Sequence, residues 1–134
     1  MSSSTHTTAF TVRDYELDMQ GVVNNGVYNN YFEHARHEFL LSKGVDFAAL
    51  AQQGINLVVA RIETDYKRSL RSGDRFKVET EVHKLSRLKF NFSQRIVTEH
   101  GDIAAQALVT GVAVDAESLR PMKLDNLDML FENN

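Results

Sequence analysis

After the long helical segment, the hydrophobic spacing of this chain changes from helical to strand-like, and that change constrains the fold more than any other feature. Tyr28, Phe32 and Phe39 lie on one helical stripe, because apolar residues in this region recur three or four positions apart. From residue 55 to residue 115 apolar and polar residues instead alternate, which is typical of strands. The sequence therefore predicts one long helix followed by a sheet.

Residues that start and stop helices bracket the helical stripe. Asn24 or Asn25 can cap the start of the long helix, and Gly44 is expected to end it in a left-handed backbone conformation. A second, short helix is predicted over residues 45–53, with Gly54 as its stop signal.

Turn residues separate the strand-like segments. Tight turns are predicted at residues 71–74, 86–88 and 100–102, and tight turns make consecutive strands antiparallel. A first strand is expected before the helix, over residues 9–14. The later strands are expected over residues 55–66, 75–85, 89–99 and 103–115. The prediction is an α+β fold in which a curved antiparallel sheet of about five strands wraps one long central helix.

The two ends of the chain are expected to lie outside this main pattern. Residues 1–8 are expected to form a flexible tail and residues 9–134 a single domain, because no linker or repeat divides them. Pro121 is expected to end the strand region. Residues 124–131 should then form a short terminal amphipathic helix.

Composition excludes several classes of protein. The chain has 134 residues, a formal net charge of −3 and no cysteine, so a disulfide framework, a thiolate nucleophile and a Cys-ligated zinc site are excluded. The net charge gives no reason to expect nucleic acid or a membrane as a partner. The lack of cysteine and of a signal peptide fits a cytoplasmic protein.

The loop before the long helix carries the strongest chemical signal. Asp18 stands there, followed by Gly21, Asn24 and Asn25. The free N–H groups at the start of a helix can polarise a carbonyl oxygen, and a nearby carboxylate can attack the carbonyl or activate water. The plain alternatives are that Asp18 forms an Asx turn or a helix cap and that the asparagines only cap the helix.

These features together resemble the hotdog-fold thioesterases of the 4-hydroxybenzoyl-CoA thioesterase family. The resemblance covers about residues 10–120 and is most specific over residues 12–36, with a second block at residues 65–74. The acyl-CoA and plant acyl-lipid branches look most similar. Three positions depart from the common pattern: Glu16 stands where many members have Asp, Val23 where many have His, and Ser69 where many have Pro.

The resemblance implies an enzyme that hydrolyses acyl-CoA or acyl-carrier-protein thioesters to an acid and a thiol. Asp18 matches the catalytic acid, as nucleophile or general base, and the two roles remain open. The amide of Asn25, with Asn24 nearby, matches the oxyanion site. No metal or redox cofactor is implied.

Substrate contacts are predicted from the helix, the facing sheet and a basic turn. Apolar and aromatic residues should contact the acyl chain, and basic residues should contact the phosphates of coenzyme A. The residues predicted for these contacts are Tyr28, Tyr31, Phe32, Val58, Val59, Arg87 and Lys89. His34 and His37, with nearby glutamates, could suggest a metal site, but a solvated helix face is the better interpretation, so no metal is expected.

Two other functions are weighed against thioester hydrolysis. A hotdog hydratase or dehydratase would need a catalytic histidine that the loop lacks. A non-catalytic acyl-CoA-binding protein would bind the same thioesters without turnover. An unrelated cone-shaped α+β isomerase fold fits the order of the elements less well. Because one helix covers only one face of the sheet, we expect at least a homodimer and favour a tetramer.

Overall fold

One long helix and six strands dominate the part of the chain that the computed structural model describes, which is residues 5–131 without the side chains of residues 47, 125, 126 and 129. The helices are α1 (Asn25–Ser42) and α2 (Phe47–Gln52). The strands are β1 (His6–Thr11), β2 (Ile55–Tyr66), β3 (Arg75–Lys84), β4 (Lys89–Thr98), β5 (Ile103–Asp115) and β6 (Pro121–Met122). The predicted α+β hotdog arrangement is confirmed, with six strands where about five were expected.

The strands form one antiparallel sheet in the order β1-β3-β4-β5-β2, with β6 paired to β5. Consecutive strands β3, β4 and β5 are neighbours because tight turns join them. β2 instead pairs with the last long strand, so it lies at one edge of the sheet and β1 at the other.

The core lies between α1 and the inner face of the sheet. Tyr28, Phe32 and Phe39 of α1 are all buried, as the helical stripe predicts. The alternation of β3 is also confirmed, because Phe76, Val78, Thr80 and Val82 are buried while their neighbours are not. Aromatic rings join the two layers: Phe39 meets Phe92 of β4 edge-to-face, with ring centroids 5.9 Å apart.

A glycine of β5 lies against an aromatic ring of the neighbouring strand β4. Gly111 makes room for the ring of Phe90: a Cβ atom at residue 111 would lie 2.6 Å from Phe90 Cζ. The absence of a side chain at residue 111 therefore fits a cross-strand aromatic contact.

Three predictions at the ends of the chain need correction. β1 spans His6–Thr11 instead of residues 9–14, because its threonine-rich start continues the pairing with β3 and residues 14–16 turn into a 3₁₀ segment. The expected flexible tail over residues 1–8 therefore includes the first three residues of β1, while residues 1–4 lie outside the described residues.

Pro121 does not end the strand region. Pro121–Met122 pairs with β5, where the missing N–H of proline is tolerated because β6 is a short outer strand. The terminal segment Leu124–Phe131 is a 3₁₀ element with a non-helical residue, Leu127, inside it, and Leu124, Leu127 and Leu130 are buried. Its apolar face packs on the domain as predicted, but it is not an α-helix.

The predicted strand over residues 55–66 is present as β2, and its middle is exposed. Val58 and Val59 are 40% and 48% exposed, and Ile62 is also exposed. A β-bulge interrupts its pairing with β5 between Val59 and Arg61. This edge is therefore apolar and uncovered within the described chain. Neither helix in residues 5–131 has the length and apolar character needed to cross a membrane.

Candidate active site

A small hairpin-like loop carries Asp18 between β1 and α1. Leu17 and Val23 pair across the loop, and the Asp18 N–H donates to the Val22 carbonyl at 2.8 Å. Gly21 has a φ of 78°, a conformation that few residues other than glycine adopt, and its N–H donates to the Asp18 carbonyl at 3.1 Å. The sequence Gly21-Val22-Val23 thus returns the chain to the start of α1.

The Asp18 side chain uses one of its oxygens to hold this loop. Oδ1 accepts hydrogen bonds from the N–H groups of Gln20, at 2.8 Å, and Val22, at 3.4 Å. The Asx turn weighed as the plain alternative is therefore present. Within residues 5–131 no hydrogen-bond donor is recorded for Oδ2, and the residue is exposed. One carboxylate oxygen is thus positioned by the loop, and the other remains available for chemistry.

The start of α1 lies beside this loop. Asn24 is the N-cap: its Oδ1 accepts the Gly26 N–H at 2.9 Å. Asn25 is the first helical residue, and no acceptor for its N–H is recorded among the described residues. The first N–H groups of a helix carry partial positive charge and attract anionic oxygens. The structure therefore resolves the open choice of cap in favour of Asn24.

Asp18, Asn24, Asn25 and Tyr28 line one cavity of about 450 Å³. The remaining lining residues come from the loop, from the last residue of β2 and from the segment that links β2 to β3: Gln20, Val22, Val23, Tyr66, Lys67, Arg68 and Ser69. The structure thus brings the predicted acid and the predicted oxyanion donors together around one space.

Two tyrosines hold the walls of this cavity. The Tyr28 hydroxyl donates to the Arg68 carbonyl at 3.0 Å and accepts the Leu70 N–H at 3.1 Å. Burial raises the pKa of the Tyr28 phenol, so it stays neutral and can do both. The Tyr66 hydroxyl donates to the Asn25 carbonyl at 3.4 Å and lies over the first turn of α1.

Basic residues also reach this cavity. Lys67 and Arg68 line it, and both backbone N–H groups donate to the Ala104 carbonyl. Arg68 also forms an exposed ion pair with Asp102 at 3.5 Å. The position of Lys67 and Arg68 beside Asp18 is a finding of the structure.

The other predicted contact residues lie elsewhere. Tyr31 is buried and donates its hydroxyl to Glu16, and Phe32 is buried in the core. Neither residue lines the Asp18 cavity. Arg87 and Lys89 are exposed at the turn between β3 and β4, where the Arg87 carbonyl accepts the Leu124 N–H.

Val58 and Val59 line a second cavity of about 200 Å³ between α1 and β2. Its walls are mostly apolar, and Arg36 contributes the buried polar group. The Arg36 guanidinium donates to Gln94 Oε1 at 3.1 Å, and burial lowers its pKa although the nearby Glu33 acts in the opposite direction. The apolar residues predicted for the acyl chain are thus divided between two cavities and the core.

The histidines of α1 do not belong to a metal-binding cluster among the described residues. His34 pairs with Glu38 at 3.6 Å on the exposed face of the helix. In the described part of the chain no group of three or more His, Asp or Glu side chains is arranged to hold a metal ion.

Sequence reasoning missed Tyr66 and Gln20 as cavity residues. The signal for Tyr66 was available, because it lies in the second block that resembles the thioesterase family and ends the strand before a turn. The signal for Gln20 was weak, because a glutamine in a loop is ordinary.

Comparison with known proteins identifies relatives of this chain. A family model described as the thioesterase-like superfamily matches residues 12–128. The chloroplastic acyl-acyl carrier protein thioesterase ATL3 of Arabidopsis thaliana is 42% identical over 94 residues, which cover 70% of this chain and 50% of that protein. The acyl-CoA thioester hydrolase YbgC of Escherichia coli O6:H1 is 30% identical over 109 residues, which cover 81% of each chain.

A solved structure gives the same result at the level of the fold. The DHNA-CoA thioesterase from Staphylococcus aureus has a TM-score of 0.84 and 30% identity, over 91% of this chain and 82% of that chain. The chain spans about half the length of the plant relatives that it matches. Since the family model covers most of its residues, this chain belongs to the thioesterase-like superfamily.

Proposed function

We propose that this protein hydrolyses acyl thioesters carried on coenzyme A or on an acyl carrier protein. The single observation that carries the proposal is that Asp18 and Asn25, the first residue of α1, line the same cavity. Membership of the thioesterase-like superfamily supports it, as do the names of relatives that act on acyl-CoA and on acyl carrier protein.

Two chemical roles for Asp18 fit this geometry. As a nucleophile, the carboxylate adds to the thioester carbon, the thiolate leaves and takes a proton from water, and a second water cleaves the acyl anhydride. As a general base, the carboxylate takes a proton from a water that itself adds to the thioester carbon; the C–S bond then breaks, and the leaving thiolate takes that proton back from Asp18. In both routes the negative charge that develops on the carbonyl oxygen is stabilised by the Asn25 amide, with Asn24 holding the helix start in place.

The substrate is proposed to meet residues from both cavities. Tyr28 contacts the reacting end, and Val58 and Val59 contact the acyl chain in the cavity between α1 and β2. Tyr31 and Phe32 contribute through the core behind these cavities. Lys67 and Arg68, which line the Asp18 cavity, provide positive charge for the anionic carrier. Arg87 and Lys89, at the turn between β3 and β4, are proposed as further contacts for the phosphates of coenzyme A.

The proposed assembly is a homodimer through β2. This strand is a 12-residue sheet edge with exposed Val58, Val59 and Ile62. A long apolar edge left open would pair with other chains, and a second copy of the same edge covers it by a two-fold axis. A tetramer would pack two such dimers together.

The test is a hydrolysis assay that follows thiol release from a panel of acyl-CoAs and acyl-carrier-protein thioesters. We expect turnover on at least one carrier class, with the preferred class and acyl length set by comparison across the panel. Tight binding of acyl-CoA without thiol release would instead support the non-catalytic binding protein. Hydration of enoyl-CoA without thiol release would support the hydratase.

A further inference from the structure

The carboxylate of Glu16 is buried although the loop that carries it is exposed. Glu16 is 7% exposed, two residues before Asp18. Its Oε1 accepts the Arg13 N–H at 2.8 Å and the Tyr31 hydroxyl at 2.8 Å, and its Oε2 accepts from the Arg13 guanidinium at 3.1 Å. Both oxygens are therefore fixed, one of them by two donors from different elements.

The charge state of Glu16 follows from these contacts. Burial raises the pKa of its carboxyl, but the hydrogen bonds from the Arg13 N–H, the Tyr31 hydroxyl and the Arg13 guanidinium outweigh burial and hold the pKa below its ordinary value. The pKa of the Tyr31 phenol is raised, first by burial and then by the hydrogen bond between its hydroxyl and Glu16. Glu16 is thus a carboxylate and Tyr31 a neutral donor near pH 7.

The backbone of Glu16 connects this anchored side chain to both halves of the candidate active site. Its carbonyl accepts the Asn24 N–H at 3.1 Å, and Asn24 is the N-cap of α1. The next residue, Leu17, pairs with Val23 and leads directly into Asp18. Through Tyr31 the side chain is also attached to the second turn of α1, and through Arg13 to the end of β1.

The Glu16 side chain is not placed to contact a substrate in the Asp18 cavity. It lines a separate cavity together with Arg13, Asn30, Tyr31 and His34, none of which lines the Asp18 cavity. Its influence must therefore pass through the backbone of the loop.

We propose that Glu16 is a positioning residue, whose bonds to Tyr31 and Arg13 set the spacing between the Asp18 carboxylate and the Asn25 amide at the start of α1. This inference rests on the proposed function. It also gives Tyr31 a role that differs from the acyl contact expected of it: Tyr31 holds Glu16 through its hydroxyl and acts on the reaction only through that bond.

The proposal predicts a defined kinetic pattern. Replacing Glu16 with Gln removes the negative charge that binds Arg13 and leaves too few acceptors for the three donors. Replacing Tyr31 with Phe removes one donor and keeps the ring. Because small errors in the position of a reacting group lower the rate of the chemical step, both Glu16→Gln and Tyr31→Phe should lower kcat by about tenfold to hundredfold while KM stays within about threefold. Glu16→Asp keeps the charge and should recover much of the loss.

The experiment measures kcat, KM and melting temperature for these three variants, the wild type, Asp18→Asn and a matched control. Glu79→Gln is the control, because Glu79 is a partly buried carboxylate with a 2.8 Å bond to Arg95 on the outer part of the sheet. Its kcat should equal that of the wild type. If Glu16→Gln does not fold, Tyr31→Phe decides the question by the same criteria.

Three results would overturn the positioning role: a kcat within twofold of wild type for folded Tyr31→Phe and Glu16→Gln, a change confined to KM, or a Glu16→Asp variant no better than Glu16→Gln. Each of these presupposes an active wild type that Asp18→Asn inactivates, so they reject this inference alone. A wild type that releases no thiol from any carrier would reject the proposed function itself.

Discussion

Tyr28 shows how single residues hold this site together. Its phenol lies between α1 and the β2–β3 connection, where it donates to Arg68 and accepts from Leu70. Tyr28 is 2% exposed, so no water would replace its hydroxyl as the partner of the Arg68 carbonyl and the Leu70 N–H. A buried hydroxyl with two backbone partners joins the helix start to the opposite wall of the cavity.

Removing this hydroxyl should therefore destabilise the folded protein. We expect Tyr28→Phe to lower the free energy of unfolding by about 1–3 kcal/mol, because the Leu70 N–H and the Arg68 carbonyl lose their partner in a buried place. Urea unfolding measures the change. Tyr15→Phe is the matched control, since Tyr15 is exposed and should change the stability little. Equal stabilities for Tyr28→Phe and wild type would show that water satisfies these groups.

At the same scale, residues close together in the chain are easier to place from sequence than residues far apart. Asp18, Asn24, Asn25 and Tyr28 line one cavity because a short loop and the first helical turn must lie close together. The remaining contact residues were chosen by type. An apolar residue in a strand can face a cavity, the core or solvent, and only the packing of Phe32, Val58 and their neighbours decides among these.

At the scale of elements, the long periodic segments were the most predictable. β2 and β5 begin and end where the spacing of two predicts, and α1 begins at its Asn24 cap and ends just before Gly44, whose φ is 77°. The errors fall where the pattern is short. Threonines at the start of β1 and a proline in β6 give weak local signals, and pairing with β3 and β5 determines their structure instead.

The packing of β4 against β5 gives a prediction at this scale. Gly111→Ala places a methyl group 2.6 Å from the Phe90 ring, so we expect a loss of about 1–3 kcal/mol in the free energy of unfolding through overpacking. Urea unfolding of the single variant and of Gly111→Ala with Phe90→Leu tests this explanation. Phe90→Leu should lower the free energy of unfolding less in the Gly111→Ala background than in wild type. Strictly additive losses for the two substitutions would contradict the contact.

At the scale of the whole molecule, Glu16 should make the free energy of unfolding depend on pH in the acid range. The pKa of its carboxyl in the folded protein lies below the ordinary value of 4.5. Its contribution is therefore fully present above about pH 4.5 and is lost as the pH falls through the folded-state pKa. Urea unfolding between pH 3 and pH 7 should show a steeper acid loss for wild type than for Glu16→Gln. Parallel curves would contradict this role of the carboxylate.

The assembly can be tested through the exposed edge strand. We expect wild type to sediment as a dimer or a larger even-numbered assembly at micromolar concentration, and Ile62→Lys to shift it towards monomer, because a charge on an apolar edge opposes pairing. Glu99→Lys, on an exposed residue after β4, serves as the charge control. A wild type that sediments as a monomer would contradict the proposed dimer.

The central claim concerns one carboxylate and one helix start, and the turnover of Asp18→Asn on a good acyl thioester tests it most directly. Asparagine keeps the size and the Oδ1 acceptor that holds the loop, but it can neither accept a proton from water nor serve as the same nucleophile. The account predicts a fall in kcat of at least about a hundredfold, while Asp14→Asn, an exposed acid four residues earlier, stays near wild type. Turnover of folded Asp18→Asn within a few-fold of wild type would contradict it.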